Sequence, residues 1–432
     1  MKSGDIIINK YISICKLGHG MFSEVWMCIE FKTRKYFAIK IFEDPDVAEH
    51  EMEMIDIIKK HSHQSKYCLS YIEKFTYNNV LHVVQPLLAG SLYDIMKSQY
   101  QHGLPFNTIL KAIFDLLSAL EYLHTTLKII HTDIKPENML LVGHTLEVDY
   151  AISKINNYLV KIPKKTTCKT IALQIKNLFT SNKIHTEMSE DEMSDSDSNS
   201  DMTASDIHSE HSQHIDRMCL DSNNSSDDES DVLDESDEST EVIIDESYIS
   251  KPNVVLGDFG NSILLADANK HGDLQTRHYR APEIILRHNI NEKSDIWAVG
   301  CTFYELLTGD ILFDPNKTDH VTTDRQHLYD FQKILGDLPD YLKTGRKKRV
   351  FFRTDGTLKN FYSQTYTNVD DLIKQKMCLG KSTEMDKSPL RISQKQFNDV
   401  MEFLMATLDY NVDRRPSASS CKKFRLFEEL PK

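Results

Sequence analysis

The 432-residue sequence has no apolar run that approaches the roughly 18–20 residues of a membrane-spanning helix. Its first five residues, Met1 to Asp5, lack the apolar stretch of a signal peptide. The eight cysteines are scattered and form no CxxC pair, which argues against a disulfide framework or a zinc site. We therefore expect no membrane association, reduced thiols, and a location in the cytoplasm or the nucleus.

The net charge of −14 is concentrated in one part of the chain. Residues 185–250 hold 22 Asp and Glu against a single Arg, whereas residues 151–184 hold seven Lys and no acid. The remainder is neutral, and its length and apolar content allow a substantial core. The acidic stretch is rich in Ser and poor in aromatic residues, so we expect it not to fold on its own. Its charge also argues against direct nucleic-acid binding.

A polar segment, His131–Asn138, follows an amphipathic helix that the apolar spacing predicts over 107–125. Within this segment, Asp133, Lys135 and Asn138 have the spacing that phosphoryl transfer uses. Asp133 would orient a substrate hydroxyl, Lys135 would approach the γ-phosphate, and Asn138 would hold a metal ion. The alternative is a polar loop without chemistry, and the rest of the chain tests this interpretation.

A glycine-rich turn lies among three strands predicted from Ile12 to Ile41. Glycine lets backbone N–H groups approach phosphates, although a plain hairpin turn also explains a GxG pattern whose third glycine is replaced by Ser23. The strand that follows ends in Lys40, and a Lys that leaves a buried strand needs an anion such as the phosphates of ATP. The predicted nucleotide contacts here are Leu17, Gly18, His19, Gly20, Met21, Phe22, Ser23, Val25, Ala38 and Lys40.

A helix predicted over 47–60 would supply the acidic partner of Lys40. Three acids compete for this role, namely Glu49, Glu51 and Glu53, and the apolar residues three and four positions later favour Glu51. A hairpin is predicted around the turn Asn78-Asn79. The segment after it is predicted to border the adenine through Val84, Gln85 and Leu87, with Val84 at the back of the cleft.

The chemistry resumes at Asp258-Phe259-Gly260, which stands 120 positions after Asn138. Asp258 is predicted to chelate Mg²⁺ together with Asn138. The long insert between them leaves after an apolar strand that ends at Val142 and returns at Val254, as expected for an insertion at a hairpin tip. Its first part has one candidate helix, from Ile171 to Phe179. Further on, we expect Asp295 to brace the catalytic loop, Thr276 to act with Lys135, and buried Glu283 to pair with Arg415.

With these motifs, the sequence resembles the eukaryotic protein kinases, and within them the SR-protein kinases (SRPK) of the CMGC group. The resemblance is carried by Thr in place of Arg at position 132, by Asn261 after Asp258-Phe259-Gly260, and by the segments 276–280, 308–315 and 335–339. Two features depart from SRPK. The chain keeps Ala281-Pro282, and the stretch 324–333, near which SRPK enzymes dock basic substrates, is mixed in charge. Such divergence is typical of a large virus or a parasite.

The resemblance implies an α+β, bilobal kinase fold with an antiparallel N-lobe sheet, a largely helical C-lobe and a long, mostly disordered insert. The expected parts are an N-lobe over 11–85, a C-lobe over 86–142 and 253–432, and a low-complexity spacer over 143–252. It implies a monomeric protein serine/threonine kinase that uses ATP and Mg²⁺ on protein substrates, Arg/Ser-rich ones among them. Because Thr132 cannot pair with a phosphate on the activation loop, we expect activity without phosphorylation of that loop. The alternative is a pseudokinase scaffold that acts through the acidic insert.

Overall fold

The computed structural model describes residues 1–20, 23–60, 65–163, 165–179, 243–272, 274–316, 321–361, 367, 369–376 and 392–430. Two residues of the predicted glycine-rich turn, Met21 and Phe22, lie outside the described residues. Residues 180–242, which include most of the acidic stretch, also lie outside them.

The N-terminal part is a six-stranded antiparallel sheet. Its strands are β1 (Ile6–Ile7), β2 (Tyr11–Gly20), β3 (Ser23–Glu30), β4 (Tyr36–Phe42), β5 (Glu73–Tyr77) and β6 (Val80–Gln85). They lie in the order β1-β2-β3-β4-β6-β5. The predicted hairpin turn between β5 and β6 is formed by Asn78 and Asn79, both at positive φ (52° and 64°), a conformation that Asn tolerates better than most residues.

Helix α1 (Pro45–Lys59) begins where the Asp44 carboxylate accepts hydrogen bonds from the backbone N–H groups of Asp46 and Val47. Its buried side includes the three apolar residues that the sequence placed on one face, Met52, Ile55 and Ile58. This face packs into the main core, so the direction of α1 is fixed relative to β4, which carries Lys40.

The C-terminal part is largely helical around one apolar core. Its elements are α2 (Leu92–Gln99), α3 (Phe106–Glu121), a π-helical turn (Tyr122–Leu127), β7 (Ile129–Ile130), β8 (Met139–Leu141), α4 (Leu146–Lys161), α5 (Cys168–Phe179), α6 (Glu246–Ser250), β9 (Val254–Leu256), β10 (Ile263–Leu264), α7 (Pro282–Leu286), α8 (Lys293–Thr308), α9 (Thr323–Leu335), α10 (Lys348–Phe351), α11 (Val369–Lys376), α12 (Gln394–Thr407) and α13 (Ala418–Cys421). The predicted α+β, bilobal fold is confirmed. Helix α8 is buried along its whole length after Lys293.

The long insert leaves and re-enters a β-hairpin, because β8 and β9 pair antiparallel with Leu141 opposite Val254. The sequence predicted one helix in its first part, whereas the structure has two, α4 and α5. Each has one buried apolar face at helical spacing, and α5 packs against β2. The buried residues are Val148, Ala151 and Ile155 in α4 and Ile171, Ala172, Ile175 and Phe179 in α5. A side-chain Cβ at Gly4, in the turn before β1, would lie 2.6 Å from the carbonyl oxygen of Ala172 in α5. The predicted spacer over 143–252 therefore begins with residues that pack on the N-lobe sheet.

Across the described parts of the chain, no helix is both long and apolar enough to cross a lipid bilayer.

Candidate active site

The polar segment His131–Asn138 lies between β7 and β8, and a buried carboxylate from α8 holds its first residues. The backbone N–H groups of His131 and Thr132 donate hydrogen bonds to Asp295, at 2.8 and 2.9 Å. Asp295 is fully buried, and Nε2 of His124 also lies 2.8 Å from its carboxylate. The predicted brace between α8 and this loop is therefore present.

The His131 imidazole joins the loop to the segment that carries Asp258. Its Nε2 lies 3.0 Å from the carbonyl oxygen of Gly257, and its Nδ1 lies 3.2 Å from the backbone N–H of Asp133. Because a carbonyl can only accept and an amide N–H can only donate, this pattern fits a neutral imidazole with its proton on Nε2. The ring also packs edge-on against Phe259, with 5.3 Å between the ring centres.

Three side chains converge on the Asp133 carboxylate. The amide of Asn138 donates to it at 3.0 Å, the Lys135 ammonium lies 3.1 Å away, and the Thr276 hydroxyl donates at 2.5 Å. Lys135 also donates to the Thr276 hydroxyl at 3.2 Å. These contacts bring together the catalytic loop and the segment around Thr276, as the sequence predicted.

The electrostatics keep Asp133 and Lys135 charged. Burial acts to raise the pKa of Asp133, but the charge of Lys135 and the Thr276 hydroxyl outweigh it and hold this pKa below its usual range. Burial acts to lower the pKa of Lys135, but the charges of Asp133 and Glu137 outweigh it and this pKa is raised. An ionised carboxylate beside a cation is suited to orient a hydroxyl group and to accept its proton.

On the other side of the cleft, Lys40 of β4 pairs with Glu51 of α1. The Lys40 ammonium lies 2.7 and 2.8 Å from the two oxygens of Glu51. Glu51 is 3% exposed, whereas the competing acids Glu49 and Glu53 are exposed. Burial raises the pKa of Glu51, and the charge of Lys40 opposes this shift. Of the three candidates, Glu51 is therefore the one that the fold brings to Lys40.

Four of the predicted nucleotide contacts share one face of the N-terminal sheet. Val25 lies opposite Lys40, and Ala38 lies opposite Gln85. Residues paired across antiparallel strands point to the same face, so these four side chains share one face of the sheet. Leu17, Gly18, His19 and Gly20 form the end of β2 and Ser23 begins β3, whereas Leu87 follows β6. A Cβ at Gly18 would meet no protein atom within 4 Å, which leaves room beside this turn.

The prediction that Val84 lines the nucleotide cleft is wrong. Val84 is fully buried in an apolar cluster with Ile7, Tyr11 and Trp26 on the opposite face of the sheet from Lys40. Side chains alternate along a strand, so the neighbouring Gln85 takes the face that Val84 was expected to occupy. The predicted register at the end of β6 is therefore one residue too early.

Asn138 and Asp258 provide oxygen atoms that fit a divalent cation. The Nδ2 of Asn138 is occupied by the carbonyl oxygen of Asp133 at 2.7 Å, which leaves the amide oxygen as its remaining ligand atom. A Cβ built at Gly260 would lie 3.4 Å from an oxygen of Asp258 and 3.7 Å from an oxygen of Glu51, so the Asp258 carboxylate lies close to the Lys40–Glu51 pair. Carboxylate and amide oxygens are the ligands that hard divalent cations prefer, and such an ion would neutralise charge on bound phosphates.

Comparison with known proteins identifies the family. The family described as the protein kinase domain matches residues 11–202 and 241–427. The chain belongs to the protein kinase family. A kinase domain uses ATP and a divalent metal ion.

Three relatives illustrate the similarity. A protein of Acanthamoeba polyphaga mimivirus that is named as a serine/threonine-protein kinase is 27% identical over 446 residues, covering 88% of this chain and 82% of the relative. The serine/threonine-protein kinase SRPK of Physarum polycephalum is 25% identical over 445 residues, covering 100% and 89%. SRSF protein kinase 3 of Mus musculus is 23% identical over 507 residues, covering 98% and 87%. The predicted resemblance to SRPK-type kinases is confirmed by these relatives.

Residues 258–283, which correspond to the activation segment of a kinase, contact the catalytic loop through Thr132, the residue in the place of the usual Arg. The Thr132 hydroxyl donates a hydrogen bond to the carbonyl oxygen of Asn261 at 2.7 Å. Thr132 is buried and has a φ of +66°, which is uncommon for a β-branched residue. One residue after Asn261, the carbonyl oxygen of Ser262 lies 2.8 Å from Nε2 of His50 in α1.

At the far end of the activation segment, a buried ion pair anchors the kinase C-lobe as predicted. The Arg415 guanidinium lies 2.6 and 3.1 Å from the two oxygens of Glu283, and both side chains are fully buried. The Ser294 hydroxyl donates to the same carboxylate at 2.9 Å. The satisfied hydrogen bonds make this pair a fixed connection between α7 and the C-terminal helices.

Sequence reasoning missed one acidic residue close to the kinase site. The Tyr279 hydroxyl donates to Glu305 at 2.6 Å, and burial raises the pKa of Glu305 to about 7, with a further contribution from the charge of Glu137. One oxygen of Glu137 is buried and has no hydrogen-bond partner among the described residues. The signal was that Glu305 is the only charged residue in the otherwise uncharged part of α8 from Ile296 to Thr308.

Proposed function

We propose that this protein phosphorylates serine and threonine residues of protein substrates with ATP and Mg²⁺. The observation that carries the proposal is the Asp133 carboxylate, which Lys135, Asn138 and Thr276 hold in its charged form. The Thr276 hydroxyl already donates to this carboxylate, so a substrate hydroxyl is the kind of group that Asp133 accepts. The pairing of Thr276 with Lys135 supports Ser/Thr rather than Tyr as the acceptor.

The remaining roles follow from the charges around the cleft. Lys135 stabilises the transferred phosphoryl group, and the Lys40–Glu51 pair orients the ATP phosphates. Asn138 and Asp258 would hold Mg²⁺, which would neutralise charge on the ATP phosphates. Each group is fixed by contacts within the protein, so little reorganisation is required when the substrates bind.

We propose further that the enzyme is active without phosphorylation of its activation segment. Between Asp258 and Glu283, the only Ser and Thr residues are Ser262 and Thr276. Ser262 is fully buried, and Thr276 is engaged by Asp133 and Lys135. The hydrogen bond from Thr132 to Asn261 replaces a phosphate-dependent contact with a permanent one.

The acidic pair Glu137 and Glu305 supports a preference for a basic residue close to the acceptor Ser or Thr. The pKa values of both carboxyl groups are raised, and a cation that lies close to both would stabilise their ionised forms. A substrate Arg would supply this cation and would partner the free oxygen of Glu137. Arg/Ser-rich proteins, which the name of the mouse relative suggests as substrates of that enzyme, offer such residues.

The direct test is an assay with radiolabelled ATP, Mg²⁺ and matched peptides that are Arg/Ser-rich, acidic or proline-directed. We expect transfer to Ser or Thr, most efficiently in the Arg-containing peptide, and no transfer by Asp133→Ala. Phosphatase treatment of the enzyme should leave the rate unchanged. A folded wild-type protein that transfers no phosphate to any peptide would instead indicate a pseudokinase.

A further inference from the structure

The C-lobe contains a short segment rich in positive charge, which follows the predicted ATP-binding residues by more than 80 positions in the sequence. Between residues 341 and 361 there are seven Lys and Arg residues and a single acid, Asp355. Four apolar side chains of this segment are buried in the main core, namely Leu342, Phe351, Phe352 and Leu358. Because these residues anchor the backbone, the charged side chains project from a fixed segment rather than from a free loop.

The local acids do not balance this charge. Asp324, at the start of α9, is shared between Arg277 and Lys347. Asp340 pairs with Lys343 at 3.1 Å, and Asp355 accepts hydrogen bonds within its own turn. We define the basic surface as the exposed residues Arg346, Lys348 and Arg349, which have no carboxylate partner within the described parts of the chain.

Contacts within the protein connect the basic surface to the substrate side of the active site. The carboxylate of Asp133 accepts from Thr276, and the next residue, Arg277, pairs with Asp324. Asp324 lies 3.6 Å from Lys347, which is flanked by the residues of the basic surface. This series of contacts places the basic surface near the segment that carries Thr276, so a polypeptide whose Ser or Thr is held at Asp133 can reach it with another part of its chain.

We propose that the basic surface docks an acidic segment of the protein substrate, separate from the residues that surround the phosphorylated Ser or Thr. Three unpaired cations on a rigid segment attract an anionic partner, and each new ion pair removes some of their mutual repulsion. The occupant is an acidic polypeptide segment, because the cations are close to the place where the protein substrate of the proposed reaction is bound. The proposal rests on the protein kinase activity proposed above, since the docked segment belongs to its substrate.

The test uses two peptides with the same Arg-containing acceptor sequence, one extended by a run of Asp and Glu and the other by a neutral Gly/Ser run. For the wild-type enzyme, we expect the KM of the acidic peptide to be about 5- to 10-fold lower, with an advantage that disappears as salt is added. The triple variant Arg346→Ala, Lys348→Ala and Arg349→Ala should raise this KM to that of the neutral peptide, with kcat unchanged. Equal KM values for the two peptides with the wild-type enzyme would overturn the proposal.

A matched control removes the same charge elsewhere. The triple variant Lys32→Ala, Lys35→Ala and Lys423→Ala, at exposed positions, should keep the preference for the acidic peptide. If both triple variants lose it alike, net charge rather than this surface causes the effect, and the proposal fails. If single-stranded RNA displaces the acidic peptide and binds more tightly, the partner is a nucleic acid and the proposal also fails.

Binding measured by fluorescence anisotropy separates this proposal from the proposed activity. If the protein transfers no phosphate but still binds the acidic peptide through Arg346, Lys348 and Arg349, the kinase proposal fails and the surface stands. If it phosphorylates the neutral peptide yet shows no preference for the acidic one, the activity stands and the docking proposal fails.

Discussion

The Thr132 hydroxyl donates a hydrogen bond of 2.7 Å to the carbonyl oxygen of Asn261. This contact connects the catalytic loop to the start of the activation segment. We predict that Thr132→Val, which keeps the side-chain shape, lowers stability by about 1 kcal/mol because a buried acceptor loses its donor. It should also lower kcat, while Thr132→Ser, which retains the hydroxyl, should stay close to wild type. Steady-state kinetics and urea unfolding measure both effects. If Thr132→Val behaves like wild type, this contact does not hold the activation segment.

The pairing of Lys40 with Glu51 predicts a position-specific effect within α1. Glu51→Gln removes the charge that holds the Lys40 ammonium, and we expect kcat/KM to fall about 10- to 100-fold because the ATP phosphates are then misplaced. Glu49→Gln, two residues away on the exposed side of the helix, is the matched control and should change kcat/KM less than twofold. Equal effects of the two variants would mean that Glu51 has no special role.

The buried pair of Glu283 and Arg415 predicts a large effect on stability. Arg415→Met leaves the Glu283 carboxylate buried without its cation, and we expect the free energy of unfolding to fall by about 3–5 kcal/mol. The neighbouring Arg414 is exposed, and Arg414→Met should leave the unfolding midpoint in urea unchanged. A small effect of Arg415→Met would contradict the assignment of this pair as the anchor of the C-lobe.

The pKa of Glu305, which burial raises to about 7, predicts pH-dependent substrate binding. As the pH rises from about 6 to 8, Glu305 ionises, so the KM of an Arg-containing peptide should fall. A peptide with norleucine in place of Arg should show no such change, and Glu305→Gln should abolish the change for the Arg peptide. Parallel pH profiles of both peptides with the wild-type enzyme would exclude Glu305 from recognition of the basic residue.

The same raised pKa predicts an effect of pH on stability. A carboxyl group whose pKa is higher in the folded than in the unfolded protein contributes stability below the unfolded value, and this contribution is lost as the pH rises toward the folded value. The free energy of unfolding of the wild-type protein should therefore decrease between about pH 4.5 and 7 relative to that of Glu305→Gln. Urea unfolding of both proteins over this range measures the difference.

Much of the site could be predicted from the sequence because its parts are residues of fixed type at fixed spacing. Asp133, Lys135 and Asn138 lie within six residues, and the structure brings their side chains together. The distant pairs could also be predicted, since buried Glu283 needs a cation and Asp295 opens a long apolar helix. In these cases, the local pattern determines the partner almost completely.

The residues that the sequence did not reveal depend on the folded arrangement. Val83 and Val84 are adjacent apolar residues that are buried on opposite faces of β6, so alternation could not show that Gln85 rather than Val84 shares a face with Lys40. Glu305 is surrounded in sequence by apolar residues, and only the packing of α8 brings it to Tyr279. The burial of α5 likewise depends on the N-lobe sheet, because α5 packs against β1 and β2.

The most direct test of the account is the initial rate of phosphate transfer from radiolabelled ATP to the Ser of an Arg-containing peptide. It compares the wild-type protein with Asp133→Asn and with Asp149→Asn, a control at an exposed position in α4. Thermal unfolding of all three proteins verifies the fold. We predict that Asp133→Asn transfers phosphate at least about 100-fold more slowly, whereas Asp149→Asn matches wild type. Transfer by Asp133→Asn at the wild-type rate, or no transfer by the folded wild-type protein, would contradict the account.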